Sequence, residues 1–260
     1  MTWIVGMPSL FGRAFAVSDV RVTWPRAGQS LDCLQKVYPV HRMLAGGFAG
    51  SVELGFVLLR DLGMWLATLP QDAIPFPRSV AFKWHRRARW IVEHAPGELR
   101  DLGCEIILVG ASPTQNRGEA PWARTDVMTL GAPSFRPVIA APDRCVSIGS
   151  GSAIDAYRAA LEADPSFLFK GEVGMPGGTG TFLTSRIWFT VRDNPAAAVS
   201  RHMLLTSVSR AGVETGPAGW REIGDDGEPI KDPWPPIAEG WDEFCKLAGG
   251  HGLAAAGAVG

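Results

Sequence analysis

The stretch Thr2-Trp3-Ile4-Val5-Gly6-Met7, directly after Met1, is the most informative part of the chain. Its apolar run predicts a first β-strand over residues 3–7, and a turn at residues 8–12 would lead into a second strand over 13–18. Removal of Met1 would leave Thr2 with a hydroxyl and a free α-amine, which together supply a nucleophile and its general base. Considered alone, Thr2 is an ordinary second residue, so this interpretation depends on later segments.

Composition limits the class of protein. The 260 residues are 46% hydrophobic, which suffices for one large domain. We expect that domain over residues 1–245, followed by an Ala- and Gly-rich flexible tail over 246–260. The net charge of -1 gives no electrostatic reason to expect a nucleic-acid partner.

The four cysteines lack the spacing of a zinc site, so we expect a reduced, cytoplasmic protein. Residues 4–15 are apolar, but no positive segment precedes them, which is unlike a signal peptide. Glu53, Arg60 and Asp61 interrupt the longest apolar stretch, so no membrane span is expected.

Periodicity predicts alternating groups of strands and helices. Further strands are expected at residues 20–23, 34–40, 43–48, 104–110, 125–130, 136–140, 145–148 and 182–191. Helices are expected at 50–69, at 79–94 with Ser79 as the N-cap, at 150–163 and at 195–211. A hairpin is expected around Asp225-Asp226-Gly227. This order predicts an antiparallel α+β layering, with helices outside two sheets.

Five short motifs carry a resemblance to a known family. They are Thr2-Trp3-Ile4-Val5, Asp19-Val20-Arg21-Val22-Thr23, Lys36-Val37, Ala45-Gly46-Gly47-Phe48-Ala49-Gly50 and Ile148-Gly149-Ser150-Gly151-Ser152. In order and approximate spacing they resemble the β-type subunits of proteasomes, and especially the peptidase subunit of the bacterial protease HslV. The resemblance is good over residues 2–66 and 104–162 and vague from residue 165 onward.

The resemblance implies a four-layer α-β-β-α sandwich of two antiparallel sheets, the fold of N-terminal-nucleophile (Ntn) hydrolases. It also implies a homo-oligomeric ring, usually double, that encloses its active sites and works with an ATP-dependent unfoldase. The expected activity is that of a threonine-type endopeptidase acting on unfolded polypeptides. A divergent bacterial branch is indicated, because residues 165–193 and the Trp-rich residues 220–241 depart from the family pattern.

The same resemblance assigns catalytic roles. Thr2 would be the nucleophile, and Lys36 would lower the pKa of its amine and hydroxyl, with Asp19 as the partner of the lysine. Considered singly, Lys36 could instead be an exposed strand lysine and Asp19 a turn residue. Gly50 would donate its N–H to an oxyanion hole near a helix N-terminus, which is compatible with a glycine kept for close packing.

Other residues would support this site. Ser150 would hydrogen-bond the Thr2 amine, but an N-cap for the third helix explains that serine almost equally well. Ser152, Arg21 and Thr23 would lie around the catalytic residues, Arg21 through structural hydrogen bonds and Thr23 through main-chain contact with a bound peptide.

The expected substrate pocket is uncharged. The register of the resemblance places four residues next to Thr2, namely Leu34, Tyr38, Phe48 and Val52. Cleavage after hydrophobic side chains follows as a hypothesis, because such a pocket cannot pair a charged residue. These four residues could also belong to the core, Phe48 above all.

One departure concerns the loop after the fourth expected helix. Proteasome subunits carry Asp-x-x-Ser-Gly-Gly there, whereas this chain has Ser209-Arg210-Ala211-Gly212-Val213-Glu214-Thr215. HslV lacks that run too and binds a monovalent cation through carbonyls, so the resemblance implies a possible Na⁺ site at the main chain of Gly212 and Thr215. No cofactor is otherwise required. Two alternatives to the peptidase remain, namely an Ntn amidohydrolase of small amides and a catalytically inert ring or scaffold subunit.

Overall fold

The computed structural model of the chain describes residues 2–8, 12–70, 76–112, 124–142, 144–162, 178–197, 199–218 and 234–260. These residues form a mixed α+β fold with antiparallel sheets, as the sequence predicts at that level. The described helices are α1 (Val52–Ala67), α2 (Pro77–Glu93), α3 (Gly97–Leu102), α4 (Asp155–Glu162), α5 (Gly178–Asp193) and α6 (Trp241–Gly250), with a 3₁₀ turn over Ser150–Ala153.

The strands form two five-stranded sheets and a separate two-stranded hairpin. The first sheet has the order β10 (Val146–Ile148), β1 (Ile4–Pro8), β2 (Ala14–Asp19), β11 (Met203–Val208), β12 (Val213–Ala218). The second has the order β5 (Val37–His41), β6 (Leu44–Gly50), β7 (Cys104–Ala111), β8 (Thr125–Gly131), β9 (Val138–Ile139). The hairpin joins β3 (Arg21–Trp24) to β4 (Gln29–Asp32).

The two sheets face each other across a layer of small and branched apolar side chains. This layer includes Ile4, Ala45, Ile107 and Val127, all without exposed surface. Gly6 permits the close approach, since a Cβ there would lie 2.6 Å from the Ile107 Cδ1 atom. The layer packs β1, which begins shortly after Thr2, against the second sheet. In that sheet β5 begins directly after Lys36, and β6 ends at Gly50.

Helices cover the opposite face of each sheet. α1 and α2 pack on the second sheet through a core that includes Leu58, Trp84 and Leu108. α4 and α5 pack on the first sheet, where Trp3 stacks on Tyr157 with ring centroids 4.4 Å apart. This stack holds the beginning of the chain in place, because Trp3 directly follows Thr2.

Most of the predicted elements before residue 112 are present, with shifted ends. The helix expected at 50–69 spans Val52–Ala67 and is capped by Ser51, whose hydroxyl accepts the Leu54 N–H at 3.3 Å. The N-cap prediction for Ser79 is wrong, because that helix begins at Pro77. The short helix Gly97–Leu102 was not predicted.

Two predictions in the second half are wrong in type. Residues 182–191, expected as a strand, lie in helix α5, where Leu183, Ile187 and Val191 are buried four residues apart. The β-branched content favours a strand locally, but burial of one helical face outweighs it. Residues 195–211, expected as a helix, contain strand β11, which pairs with β2 and β12 on both sides.

Other expectations concern the third helix and the chain end. The helix expected at 150–163 is a 3₁₀ turn followed by α4. Instead of a frayed tail, residues 246–260 complete α6 and then return to the second sheet. The hairpin expected at Asp225-Asp226-Gly227 and residues 9–11 of the first turn lie outside the described residues. Among the described helices, none combines the length and apolar character needed to cross a bilayer.

Candidate active site

Thr2 lies buried two residues before β1, with 1% of its surface exposed. Its hydroxyl Oγ1 accepts a hydrogen bond from the Lys36 Nζ atom at 2.5 Å. Its main-chain N–H donates to the Ser150 hydroxyl at 3.2 Å, and its carbonyl accepts the Gly151 N–H at 3.0 Å. Thr2 is therefore held through both its side chain and its main chain.

Lys36 is fully buried, and each of its three N–H donors has an acceptor. Besides the Thr2 hydroxyl, the ammonium donates to Asp19 Oδ1 at 3.0 Å and to the Arg21 carbonyl at 2.5 Å. Burial lowers the pKa of Lys36 from its ordinary value, while the charge and hydrogen bond of Asp19 oppose that shift. A cation with a lowered pKa against a hydroxyl is typical of sites that activate an oxygen nucleophile.

Asp19 is the carboxylate that balances this buried lysine. It ends β2, and its Oδ2 atom accepts the Trp3 N–H at 2.7 Å. Its Oδ1 atom accepts the Arg21 N–H at 2.8 Å in addition to the lysine. Asp19 thus links Trp3, the residue after Thr2, to Arg21 of β3, whose carbonyl accepts a hydrogen bond from Lys36.

The Gly149-Ser150-Gly151 run brings a turn against the start of the chain. A Cβ at Gly149, where φ is +86°, would lie 2.4 Å from the Thr2 carbonyl oxygen, and one at Gly151 would lie 2.5 Å from Trp3 Cβ. The 3₁₀ turn that begins at Ser150 has no side-chain cap. The Ser150 hydroxyl therefore faces Thr2 instead of capping a helix. Within the described residues, the Ser152 hydroxyl donates locally, to the Gly149 carbonyl at 2.5 Å.

Gly50 ends β6 in a conformation that suits glycine, with φ at +100°. A Cβ there would lie 2.4 Å from the Gly103 carbonyl oxygen. The prediction that Gly50 begins the helix is wrong by two residues, because α1 starts at Val52. Its N–H donates to the Gly260 carbonyl at 2.7 Å, so this donor already holds a main-chain oxygen.

The last described residues, 258–260, lie between β3 and the β6–α1 junction, and the space that they occupy is called the groove below. Thr23 exchanges two main-chain hydrogen bonds with Val259, each of 2.8 Å. On the other side, Gly50 exchanges two with Gly260, of 2.7 and 2.8 Å. Thr23, expected to contact a bound peptide through its main chain, thus pairs with an extended segment of its own chain.

The four expected pocket residues divide into two pairs. Val52 and Leu34 border the groove, since a Cβ at Gly260 would lie 3.2 Å from Val52 Cγ2 and 3.8 Å from Leu34 Cδ2. Phe48 is fully buried and lies 5.3 Å from Phe56, ring centroid to ring centroid. Tyr38 stacks on Phe48 and donates its hydroxyl hydrogen to the Gln35 carbonyl. Phe48 and Tyr38 therefore belong to the aromatic core behind the groove.

The Arg21 side chain points to a second ion pair, outside the lysine site. Its Nε atom donates to Asp32 Oδ1 at 2.7 Å, and its Nη1 atom donates to the Ala197 carbonyl at 3.0 Å. Ser200 and His202 also contact the Asp32 carboxylate, at 2.5 and 3.2 Å. Burial raises the pKa of Asp32, but these hydrogen bonds and the charge of Arg21 outweigh it and leave that pKa lowered. Sequence reasoning missed Asp32, because its partners lie far away along the chain.

Gly212 and Thr215 lie in the hairpin that joins β11 to β12. The Gly212 carbonyl already accepts the Ser209 N–H at 2.9 Å, and Thr215 pairs with Thr206 within the ladder. Binding of Na⁺ at the main chain of Gly212 and Thr215 stays a prediction. In the described part of the chain, no cluster of three or more His, Cys, Asp or Glu residues could hold a metal ion.

Sequence reasoning also missed Glu105 and the chain end. The Glu105 Oε2 atom accepts the Gly149 N–H at 2.7 Å and so supports the turn beside Thr2. Residues 258–260 carry only Ala, Val and Gly, and main-chain hydrogen bonds join them to Thr23, Gly50 and Val52. Such bonds leave no side-chain pattern that a sequence could reveal.

No known protein-family model and no curated protein sequence matches this chain.

Proposed function

We propose that this protein is a threonine-type peptidase of the N-terminal-nucleophile class, with Thr2 as its nucleophile after removal of Met1. The observation that carries the proposal is the buried hydrogen-bonded series Thr2–Lys36–Asp19, with heavy-atom distances of 2.5 and 3.0 Å. A buried lysine–carboxylate pair is costly to desolvate and is rarely kept for stability alone. Its contact with a hydroxyl is what an activated nucleophile requires.

The proposed reaction begins when the Thr2 oxygen attacks a peptide carbonyl carbon. The hydroxyl proton passes to the freed α-amine of Thr2, and Lys36 stabilises the charge that develops on the oxygen. The Gly50 N–H stabilises the oxyanion of the tetrahedral intermediate. The C–N bond then breaks, and the proton moves to the departing amine. An ester on Thr2 remains, which water hydrolyses to release the second product and restore the hydroxyl.

Ser150 would take part through the amine. Its hydroxyl accepts from the Thr2 nitrogen at 3.2 Å, so it can orient that amine and relay its proton. Asp19 would position Lys36 and keep it charged. These roles use the residues that the resemblance implies.

The finer fold and the assembly belong to the same proposal. Two facing antiparallel sheets with helices outside them are compatible with the four-layer α-β-β-α sandwich of Ntn hydrolases. We propose a homo-oligomeric ring, with an ATP-dependent unfoldase as partner. Mass measurement of the native protein tests this assembly, since a stable monomer would contradict it.

The groove favours peptides over small amides as substrates. It already holds an extended segment through four main-chain hydrogen bonds at Thr23 and Gly50. A small amide could not use both of these positions. The groove borders Val52 and Leu34 suggest an apolar residue before the cut, and a fluorogenic peptide panel tests this. Preference for an acidic or basic residue at that position would contradict it.

Intact-protein mass spectrometry with a peptide epoxyketone tests the proposal most directly. Such an inhibitor needs both the hydroxyl and the free α-amine of an N-terminal threonine. We expect the mass of the chain without Met1, increased by that of one inhibitor. Thr2→Ser should still be labelled, whereas Thr2→Ala should not. Retention of Met1 in the native protein, or labelling that survives Thr2→Ala, would contradict the peptidase and favour an inert subunit.

A further inference from the structure

The segment of residues 258–260 lies in the candidate groove as a peptide would lie there. Thr23 contacts it from one side and Gly50 from the other, with main-chain hydrogen bonds of 2.7 to 2.8 Å. The bridges from Val259 to Thr23 and to Ser51 are both antiparallel. The segment therefore satisfies the main chain of both groove walls, which a bound extended peptide would otherwise do.

Gly260 lies at the catalytic end of this groove. A Cβ placed on it would be 3.5 Å from Lys36 Cε, and Lys36 in turn contacts the Thr2 hydroxyl. The Gly260 carbonyl also accepts the Gly50 N–H, the donor assigned above to the oxyanion. A substrate carbonyl and the Gly260 carbonyl cannot both accept the hydrogen bond of the Gly50 N–H at the same time.

Anchors hold the segment both before the groove, at Ala254, and at its first residue, Ala258. The Trp24 Nε1 atom donates to the Ala254 carbonyl at 2.7 Å, and the Val52 N–H donates to the Ala258 carbonyl at 3.1 Å. Ala258 is buried, with 1% exposed. A tethered segment has a high local concentration at its site, on the order of millimolar. It can therefore compete with free peptides although it offers no large side chain.

We propose that residues 258–260 are an internal occupant of the peptide groove and keep it closed until they are displaced. This inference rests on the proposed function only in taking the groove to be where peptides bind. Its chemistry is that of strand addition, in which main-chain bonds supply affinity and small side chains allow close approach. Peptides that reach Thr2 must first displace this segment.

Substitution of Val259 tests the proposal within the full-length chain. Val259→Pro removes the N–H that donates to the Thr23 carbonyl, whereas Val259→Ala keeps every main-chain bond and serves as the matched control. The probe is a fluorescein-labelled synthetic peptide, Leu-Ala-Ala-Ala-Gly-Ala-Val-Gly, copied from residues 253–260. Fluorescence anisotropy measures its binding. A chain shortened by residues 258–260 provides a second displaced variant should Val259→Pro fold poorly.

We expect the displaced variants to bind the probe about tenfold more tightly than the native chain, with Val259→Ala unchanged. Hydrogen exchange should show the amides of Thr23 and Gly50 protected in the native chain, and both of them exposed in Val259→Pro. Equal probe affinity in all variants, or no binding to any of them, would overturn the proposal.

Binding and exchange do not depend on turnover, so the two proposals can fail separately. Tighter probe binding without peptide hydrolysis in any variant would support the internal occupant and count against the peptidase. Hydrolysis with the same rate and probe affinity in all variants would support the peptidase and overturn the internal occupant.

Discussion

Two ion pairs lie on either side of the β2–β3 connection, and Arg21 contributes to both. The inner pair joins Lys36 to Asp19 at 3.0 Å, with both side chains fully buried. The outer pair joins Arg21 to Asp32 at 2.7 Å, with 27% and 16% of the side chains exposed. The Arg21 main chain serves the inner pair through its carbonyl and its N–H.

The two ion pairs differ in burial, and this difference indicates different roles in activity and in stability. Both charges of the inner pair are removed from water, and one N–H of Lys36 nevertheless donates to the Thr2 hydroxyl. The outer pair keeps contact with water and connects the β3–β4 hairpin to Ala197 and Ser200. We therefore expect the inner pair to control activity and the outer pair to contribute modestly to stability.

The largest expected effect is on activity. Lys36→Met keeps an unbranched chain but removes the charge beside the Thr2 hydroxyl. We expect peptide hydrolysis to fall about 10²- to 10⁴-fold, the usual contribution of a group that stabilises charge in proton transfer. Arg21→Met should lower it less than about tenfold. Initial rates with a fluorogenic peptide measure both, and similar losses in the two variants would remove the distinction between the pairs.

The next effect is on stability. Asp19→Asn leaves Lys36 buried without a counter-charge, and we expect the free energy of unfolding to fall by about 3–5 kcal/mol. Asp32→Asn removes a half-buried partner that water can partly replace, and we expect about 1 kcal/mol. Urea unfolding followed by tryptophan fluorescence measures both. An equal loss would mean that burial does not distinguish the two carboxylates.

A third comparison contrasts two glycines, one at which an added Cβ would meet a neighbouring main chain and one at which it would not. A Cβ on Gly149 meets the Thr2 carbonyl at 2.4 Å, in a backbone conformation that L side chains rarely adopt. Gly149→Ala should cost about 1–3 kcal/mol and move the turn that carries Ser150. Gly216→Ala, where a Cβ meets open space, is the matched control. Thermal unfolding of the two variants measures the difference, and equal midpoints would contradict the crowding at Thr2.

The smallest effect concerns pH. The pKa of Asp32 is lower in the fold than its ordinary value of 3.8, so the folded state binds this proton less readily than the unfolded state. Its stabilisation is therefore complete above about pH 4 and is lost as pH falls through the lower folded pKa. Below pH 4 the native chain should lose its stability advantage over Asp32→Asn. Urea midpoints at pH 3 and pH 6 measure this, and a constant difference would contradict it.

Local patterns predicted much of the first half of the chain. The apolar runs before and after the first turn predicted β1 and β2, and the apolar stretch after Gly50 predicted α1. Lys36, Asp19 and Thr2 were proposed as a group because five motifs occur in a known order. In the structure these three residues contact each other directly. Whether they catalyse a reaction stays a prediction.

The second half depends on contacts between distant residues. Residues 182–191 carry many β-branched side chains, and only packing of Leu183 and Ile187 against the first sheet makes a helix favourable. Strand β11 is favoured by β2, which lies more than 180 positions earlier in the chain. No window of local sequence contains these partners.

By itself, the sequence determined which chemical groups are available and the α+β class, because hydrophobic periodicity and residue type are local properties. The tertiary structure alone decided that Lys36 has no exposed surface and that its three donors are all used. It alone also decided that an Ala- and Gly-rich chain end pairs with Thr23 and Gly50. The physical reason is that burial and main-chain hydrogen bonds arise between segments far apart in the chain, and neither depends on a pattern within one segment.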